Sequence, residues 1–517
     1  MILTRSATSQ RLNGLCKEAE NMARILLINP GRWGRGITPI WIASHAAVLK
    51  SRGHKVELFD ATFFRDWAQN ENAFNTANLQ YRPSSYETMI SYDETPVVVA
   101  LQAHLDAFCP DIAFWAAISS HIHGEGEYAA IQFGDELMRQ VRTTAIKVAG
   151  GLQPTAAPKD TAARFPEIDL LIGGESEFVL ADLVDACQER RPLSAVPGLV
   201  WREDGGVAVA PRQPIIHDLD TIGPYDYSLF ADQVLLRPYC GEVVRAVDYE
   251  LSRGCPFTCG YCVETVIQRH YGFTEATARG ALKQASSYLR HKSATRIFNE
   301  IEGLHRDRDV TFFRCQDTNF LTIERGTLQE LADRFDASNL PIRLYIETRP
   351  EGINPSTVAL LKRLRVDGVG MGIELATQGF REENLNRFSD QSAIEHAFRL
   401  LREGGIQRTA YNIVGIPDQT EASILATVAF NRALDPDNVT VAFFSPYLGT
   451  KQQRRGAEGN YFLDYEFDLD SQLRTLSRHS VLSQPLLAFY KRHFVRLVRE
   501  GFEALPRLKA ADGLVCS

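Results

Sequence analysis

Short apolar runs separated by stretches of mixed polarity recur through the first part of the chain: ARILLIN at 23–29, KVELF at 55–59, DIAFWAAIS at 111–119, AIKVAG at 145–150 and DLLIG at 169–173. Runs this short, with helical periodicity between them, predict five parallel strands of a doubly wound α/β sheet. Residues 61–97 break the rhythm and predict an irregular insertion, while WREDGGVAVA at 201–210 predicts a hairpin turning at Asp204-Gly205-Gly206. The alternation restarts near residue 246 with VDYELS (247–252), VTFFRC (310–315), IRLYIE (342–347), GVGMGIE (368–374), TAYNIVG (409–415) and VTVAFF (439–444). Six such units predict a partial (β/α)6 barrel of the TIM type, since closure takes eight. GTLQELADRFDAS and QSAIEHAFRLLREGG read as helices between strands, the second stopping at a glycine pair suited to a C-cap. The implied order is a leader at 1–22, a flavodoxin-like (Rossmann-like) domain at 23–190, a connector at 191–245, the barrel at 246–445 and a small C-terminal extension at 446–517.

At 517 residues, 44% of them hydrophobic, the chain has enough apolar material for two large cores. No apolar run approaches the roughly 20 residues that cross a bilayer, and the opening stretch lacks the apolar segment of a secretory signal. The expectation is a cytoplasmic protein with no membrane partner. A net charge of -8 supplies no global attraction to nucleic acid, so none is expected. Of nine cysteines, three crowd into Cys255, Cys259 and Cys262 while the rest stand apart. That pattern reads as a ligand cluster in a reducing compartment and not as a disulfide framework.

The segment ELSRGCPFTCGYCVE follows the first strand of the second domain and carries its cysteines in a CxxxCxxC spacing. Three thiolates on one loop can hold three corners of a cubic 4Fe-4S cluster, which leaves the fourth iron without a protein ligand. Gly254 and Gly260 relieve backbone crowding, and Phe257 and Tyr261 can shield the cluster from water. The competing arrangement is a zinc site completed by His270, although structural zinc modules usually pair two such knuckles. This loop after the first strand of a partial barrel resembles the hallmark of the radical SAM superfamily. The resemblance implies that S-adenosylmethionine chelates the open iron through its amino and carboxylate groups, and that reductive cleavage yields a 5'-deoxyadenosyl radical. Sites of parallel barrels lie at the C-terminal ends of strands. There stand Asp317 and Asn319 in FFRCQDTNF, Glu347 and Arg349 in YIETRP, Glu374 in GIELATQ, and Gly415 in NIVGIPDQT. By the resemblance, Tyr261, Asp317, Asn319, Arg349, Glu374 and Gly415 contact SAM.

In the first domain the strand ends carry Asn29-Pro30-Gly31, Asp60, Ser119-Ser120, Gly150-Gly151 and Gly173-Gly174-Glu175. A glycine pair lets a broad planar ligand approach the backbone, and paired hydroxyls can bond its edge; flavin and nucleotide binders share this pattern. ILLINP (25–30), AGGLQPT (149–155) and IGGESEF (172–178) together resemble the cobalamin-binding domains fused to one radical SAM subgroup. The resemblance implies cobalamin contacts at Pro30, Asp60, Ser119, Ser120, Gly150, Gly151, Gly173, Gly174 and Glu175. In place of the DxHxxG that supplies a cobalt-ligating histidine, the loop after the first strand reads GRWGRGITP, so cobalamin is expected without histidine coordination. His45, His121 and His123 read as ordinary helix or loop residues.

The two resemblances imply a C-methyltransferase that methylates an unactivated carbon of a small-molecule or natural-product substrate through the 5'-deoxyadenosyl radical and methylcobalamin. An electron donor such as flavodoxin or ferredoxin would serve it, and the scheme needs no acid–base pair from the protein. The alternatives are oxidative cyclisation or rearrangement with the same cofactors, and a noncatalytic cobalamin- or redox-responsive binding protein. Substrate choice is expected in 61–97, 263–293 and 446–517, with Tyr271, Phe273, Tyr447, Tyr461 and Phe462 as candidate pocket aromatics.

Overall fold

The computed structural model describes residues 22–118, 124–203, 205–444, 447–456 and 482–514. The chain divides into two compact units: Met1–Asn70, Thr88–Arg237 and Val266–Phe273 form one, and Glu71–Glu87, Pro238–Thr265 and Thr274–Ser517 the other. The main boundary thus falls inside the stretch read as a connector, and two short segments belong to the unit that the linear order does not suggest.

In the first unit, β1 (Arg24–Asn29), β2 (Lys55–Asp60), β3 (Ile112–Trp115), β4 (Ile146–Ala149) and β5 (Leu170–Ile172) are parallel in the order β2-β1-β3-β4-β5. Ile25 to Ile28 and Ile112 to Trp115 are fully buried because helices cover both faces, which is why these strands read as continuous apolar runs. The order reverses between β1 and β3, the switch point beside which ligands of such sheets bind. The predicted hairpin forms as β6 (Leu199–Glu203) and β7 (Gly206–Val209), with Asp204 itself outside the described residues. It is no free-standing connector: β6 pairs antiparallel with β5 and extends the sheet to seven strands.

The second sheet begins with β8 (Leu236–Tyr239), which turns at Cys240-Gly241 into β9 (Glu242–Tyr249). Both turn residues have left-handed φ, 49° and 92°, as a two-residue hairpin loop requires. A small ribbon, β10 (Ser252–Arg253) with β11 (Arg290–His291), brackets the cysteine loop. Then come β12 (Phe312–Cys315), β13 (Arg343–Thr348), β14 (Val366–Glu374), β15 (Gln407–Val414) and β16 (Asn438–Phe443), parallel to β9 and to one another. These are the six predicted barrel strands. Alternate glycines on β14 make room for aromatic neighbours: a Cβ at Gly370 would lie 2.6 Å from the Tyr411 ring and 2.7 Å from the Tyr345 hydroxyl.

The stretch read as an irregular insertion and the C-terminal extension both contain ordered elements. Within 61–97 lie the helices Glu71–Ala77 and Tyr86–Met89, and Gln80 from this segment accepts a hydrogen bond from the backbone N–H of Val441 on edge strand β16 (3.1 Å). Within 446–517 the helix Gln484–Glu500 packs Leu487, Phe489, Tyr490 and Phe494 against Val414, Ile424, Val428, Val439 and Val441. Both cover the last strands of an incomplete barrel, whose exposed edge would otherwise invite strand pairing. No helix among the described residues is long and apolar enough to cross a membrane.

Candidate active site

The cysteine loop is pinned at its base. Asp317, just past β12, is fully buried; its carboxylate accepts from the backbone N–H groups of Leu251 (3.1 Å) and Ser252 (2.6 Å) and from the Ser252 hydroxyl. Burial raises its carboxyl to about 7 despite these donors. Gly254 then takes φ +97° beside the carbonyl of buried Tyr288. Glu264, at the start of the helix Glu264–His270, accepts from the Cys255 N–H at 3.0 Å, and the Cys262 N–H bonds the Cys259 carbonyl at 3.1 Å. Cys255 and Cys259 are buried and Cys262 is half-buried. Burial, with neighbouring acids and thiols adding to it, pushes the Cys255 and Cys262 thiols up. Thiolates so placed are costly until a cation neutralises them, which suits ligands that shed protons on binding metal.

Among the described residues no trio of His, Cys, Asp or Glu is gathered for a single metal ion. A cubic cluster instead takes one sulfur at each of three iron corners. His270, the residue weighed as a fourth zinc ligand, has its ring against Gly173 and Gly174, and burial brings it down to about 4.

Arg349, expected to contact SAM, has partners within the chain. It donates to Cys259 Sγ (3.5 Å), to both Glu351 oxygens (3.2 and 2.7 Å) and to the Phe388 carbonyl (3.0 Å), and it lies 3.8 Å over the Phe257 ring. Asp317 is likewise taken up by the turn below the cysteines. Asn319 Oδ1 accepts from the Thr348 hydroxyl at 2.7 Å, linking the ends of β12 and β13. Tyr261 donates to Glu374 at 2.8 Å, and Arg387 sits 3.6 Å from the same carboxylate oxygen. Burial and the Glu374 charge push the Tyr261 phenol up, so it stays a donor at neutral pH. The Gly415 N–H bonds Gln419 at 2.7 Å. Glu347 lies beneath, accepting from Tyr411 (3.0 Å) and Arg314 (3.3 Å). Sequence reasoning missed Thr318, whose buried hydroxyl has no partner among the described residues, and Arg387. Thr318 stood between two chosen residues, so its position at a strand end was the available signal.

At the strand ends of the first unit, the Pro30 carbonyl accepts from the Trp67 indole at 3.1 Å. One Asp60 oxygen accepts from Asn29 (2.9 Å) and from the Thr62 N–H (3.0 Å). The other is buried and has no partner among the described residues, an acceptor open to a donor. Gly150 allows close strand approach, since a Cβ there would lie 2.9 Å from the Ala116 carbonyl. Gly151, at φ +100°, opens the helix Leu152–Ala156. Gly174 presents no free backbone to a planar ligand: Gln213, Tyr271 and His270 atoms stand 2.5–2.7 Å from where its Cβ would be. Glu175 accepts from the Ile216 N–H at 3.1 Å, while its own N–H donates to the Tyr271 hydroxyl at 2.8 Å. Tyr271 is therefore held by the β5 loop. Buried His45 bonds the Trp41 carbonyl and Ser176 as an internal helix histidine. Ser119, Ser120, His121, His123, Tyr461 and Phe462 lie outside the described residues.

Residues 249–430, from the end of β9 to the helix before β16, match the radical SAM superfamily. That segment is a radical SAM domain. The chain is 25% identical over 405 residues to an uncharacterized methyltransferase of Pyrococcus horikoshii, covering 77% of the chain and 82% of the relative. It is 24% identical over 436 residues to the anaerobic magnesium-protoporphyrin IX monomethyl ester cyclase of Rubrivivax gelatinosus, covering 82% and 68%. Its fold is that of the radical SAM methyltransferase TsrM from Kitasatospora setae, solved with cobalamin and a 4Fe-4S cluster: TM-score 0.61 at 19% identity, over 84% of this chain and 78% of that one. The radical SAM core makes the chain an enzyme, which sets aside the reading as a noncatalytic binding protein.

Proposed function

We propose that this radical SAM enzyme is a cobalamin-dependent C-methyltransferase acting on an unactivated carbon of a small molecule. The observation that carries the reading is the trio of thiols, two buried and one half-buried, on a loop pinned by Asp317 at the mouth of a partial barrel. Cys255, Cys259 and Cys262 would hold a 4Fe-4S cluster. Tyr261, Thr318, Asn319, Glu374 and Gly415 would meet SAM, while Asp317 and Arg349 set the loop. Pro30, Asp60 and Gly151 would meet cobalamin, the Asp60 oxygen that has no partner among the described residues accepting from a ligand amide; Gly150, Gly173, Gly174 and Glu175 shape that end of the sheet from behind. When bound, these cofactors supply hydrogen-atom abstraction from substrate and a methyl donor. The chain's own part is to orient and to exclude water: Arg349, stacked on Phe257, donates to Cys259, and Tyr261 keeps its proton so that its hydrogen bond to Glu374 persists. An electron donor such as flavodoxin or ferredoxin would reduce the cluster.

The likeness to a cyclase favours a second reading, in which the same site closes a ring without methyl transfer. Reconstituted protein given SAM with a deuterated methyl group separates the two. Product that gains the labelled methyl, together with 5'-deoxyadenosine, supports methylation; 5'-deoxyadenosine with unlabelled product supports cyclisation. Absence of 5'-deoxyadenosine from a reduced, cluster-loaded enzyme with substrate overturns both.

A further inference from the structure

We propose that Arg349 is the hydrogen-bond donor that tunes the reduction potential of the four-iron cluster through Cys259; this rests on the cluster-binding reading above. Arg349 is 7% exposed, and most of its donors are already placed. Its Nε and one Nη2 hydrogen grip Glu351 at 3.2 and 2.7 Å, the Phe388 carbonyl receives Nη2 at 3.0 Å, and Nη1 points at Cys259 Sγ, 3.5 Å away. The Phe257 ring beneath the guanidinium, at 3.8 Å, excludes water on that side. A planar fork held on its far edge by a carboxylate cannot swing, so its remaining edge is aimed, which a lysine in the same place would not be.

The consequence follows from charge. An N–H···S bond draws electron density from the thiolate, and the reduced cluster carries one more negative charge than the oxidised one. The bond therefore strengthens on reduction and raises the potential, more so where water is excluded. This role differs from binding the SAM carboxylate. It predicts that Arg349 variants shift the cluster's potential before any SAM is added.

The test is an EPR-monitored redox titration of anaerobically reconstituted full-length protein without SAM, comparing wild type with Arg349→Lys and Arg349→Met. Iron and sulfide are assayed first. At the wild-type midpoint the reduced-to-oxidised ratio of Arg349→Met should fall roughly tenfold, a shift of about 59 mV to more negative potential for a one-electron couple. Arg349→Lys, which keeps the charge and loses the fork, should shift in the same direction by less. Wild-type protein containing 15N-guanidino arginine should show a weak 15N coupling to the reduced cluster by pulsed EPR, and Arg349→Lys should lose it. That measurement decides alone if Arg349→Met fails to take up iron. Equal potentials in wild type and variants, or no 15N coupling, overturn the inference and leave the function standing; wild-type protein that assembles no four-iron cluster overturns both.

Discussion

Gly254→Ala probes how far the cysteine loop depends on one backbone conformation. At φ +97° a side chain is strained by about 1–3 kcal/mol. The new Cβ would also lie 2.9 Å from the Tyr288 carbonyl oxygen and 3.2 Å from its ring, and Tyr288 is fully buried, so overpacking adds about 1–3 kcal/mol. The opposing anchors are the Asp317 hydrogen bonds to Leu251 and Ser252, at about 1–3 kcal/mol each. Strain and anchors are comparable, whereas folded domains are stable by about 5–15 kcal/mol. The loop should therefore shift while the fold survives, moving Cys255, the next residue. Cluster affinity should drop about 10–100-fold, the range seen when the support of a metal ligand is lost. Iron and sulfide content and visible absorbance after anaerobic reconstitution measure this, with thermal unfolding alongside. Four irons bound as tightly as in wild type, at an unchanged midpoint, would show that the loop accommodates the methyl group and that the argument is wrong.

Lys292→Met should destabilise the second unit by about 3 kcal/mol. The fully buried ammonium lies 3.0 Å from Glu300, and breaking such a pair costs about 3–5 kcal/mol, eased here by Arg296 at 3.2 Å from the same carboxylate. A denaturant or thermal loss below about 1 kcal/mol would contradict this. The Asp317 carboxyl sits at about 7 in the folded chain, against about 3.9 when unfolded. Between these values the folded state holds a proton that the unfolded state releases, so stability falls as pH rises from about 4 to 7, by up to about 4 kcal/mol. Asp317→Asn should flatten that part of the pH–stability profile, and parallel profiles for the two proteins would refute the assignment.

The periodicity of short apolar runs determined the five parallel strands of the first sheet and all six barrel strands, because a strand buried on both faces leaves a local trace. Spacing alone likewise announced the cysteine trio, since three ligands within eight residues must share one loop. What local pattern could not carry is which partner a buried polar group meets. Asp317 reaches back 65 and 66 residues to the turn below the cysteines, and Arg349 reaches back 90 to Cys259; at the sequence level both were only polar residues at strand ends, equally suited to a ligand. Gly174 read as open backbone until the fold brought Tyr271, His270 and Gln213 against it. Segment 71–87, polar and aperiodic, gave no sign that it would sit with the barrel. Burial of apolar surface obeys a repeat that short stretches record, whereas hydrogen-bond satisfaction depends on geometry between distant segments, and only the folded chain settles it.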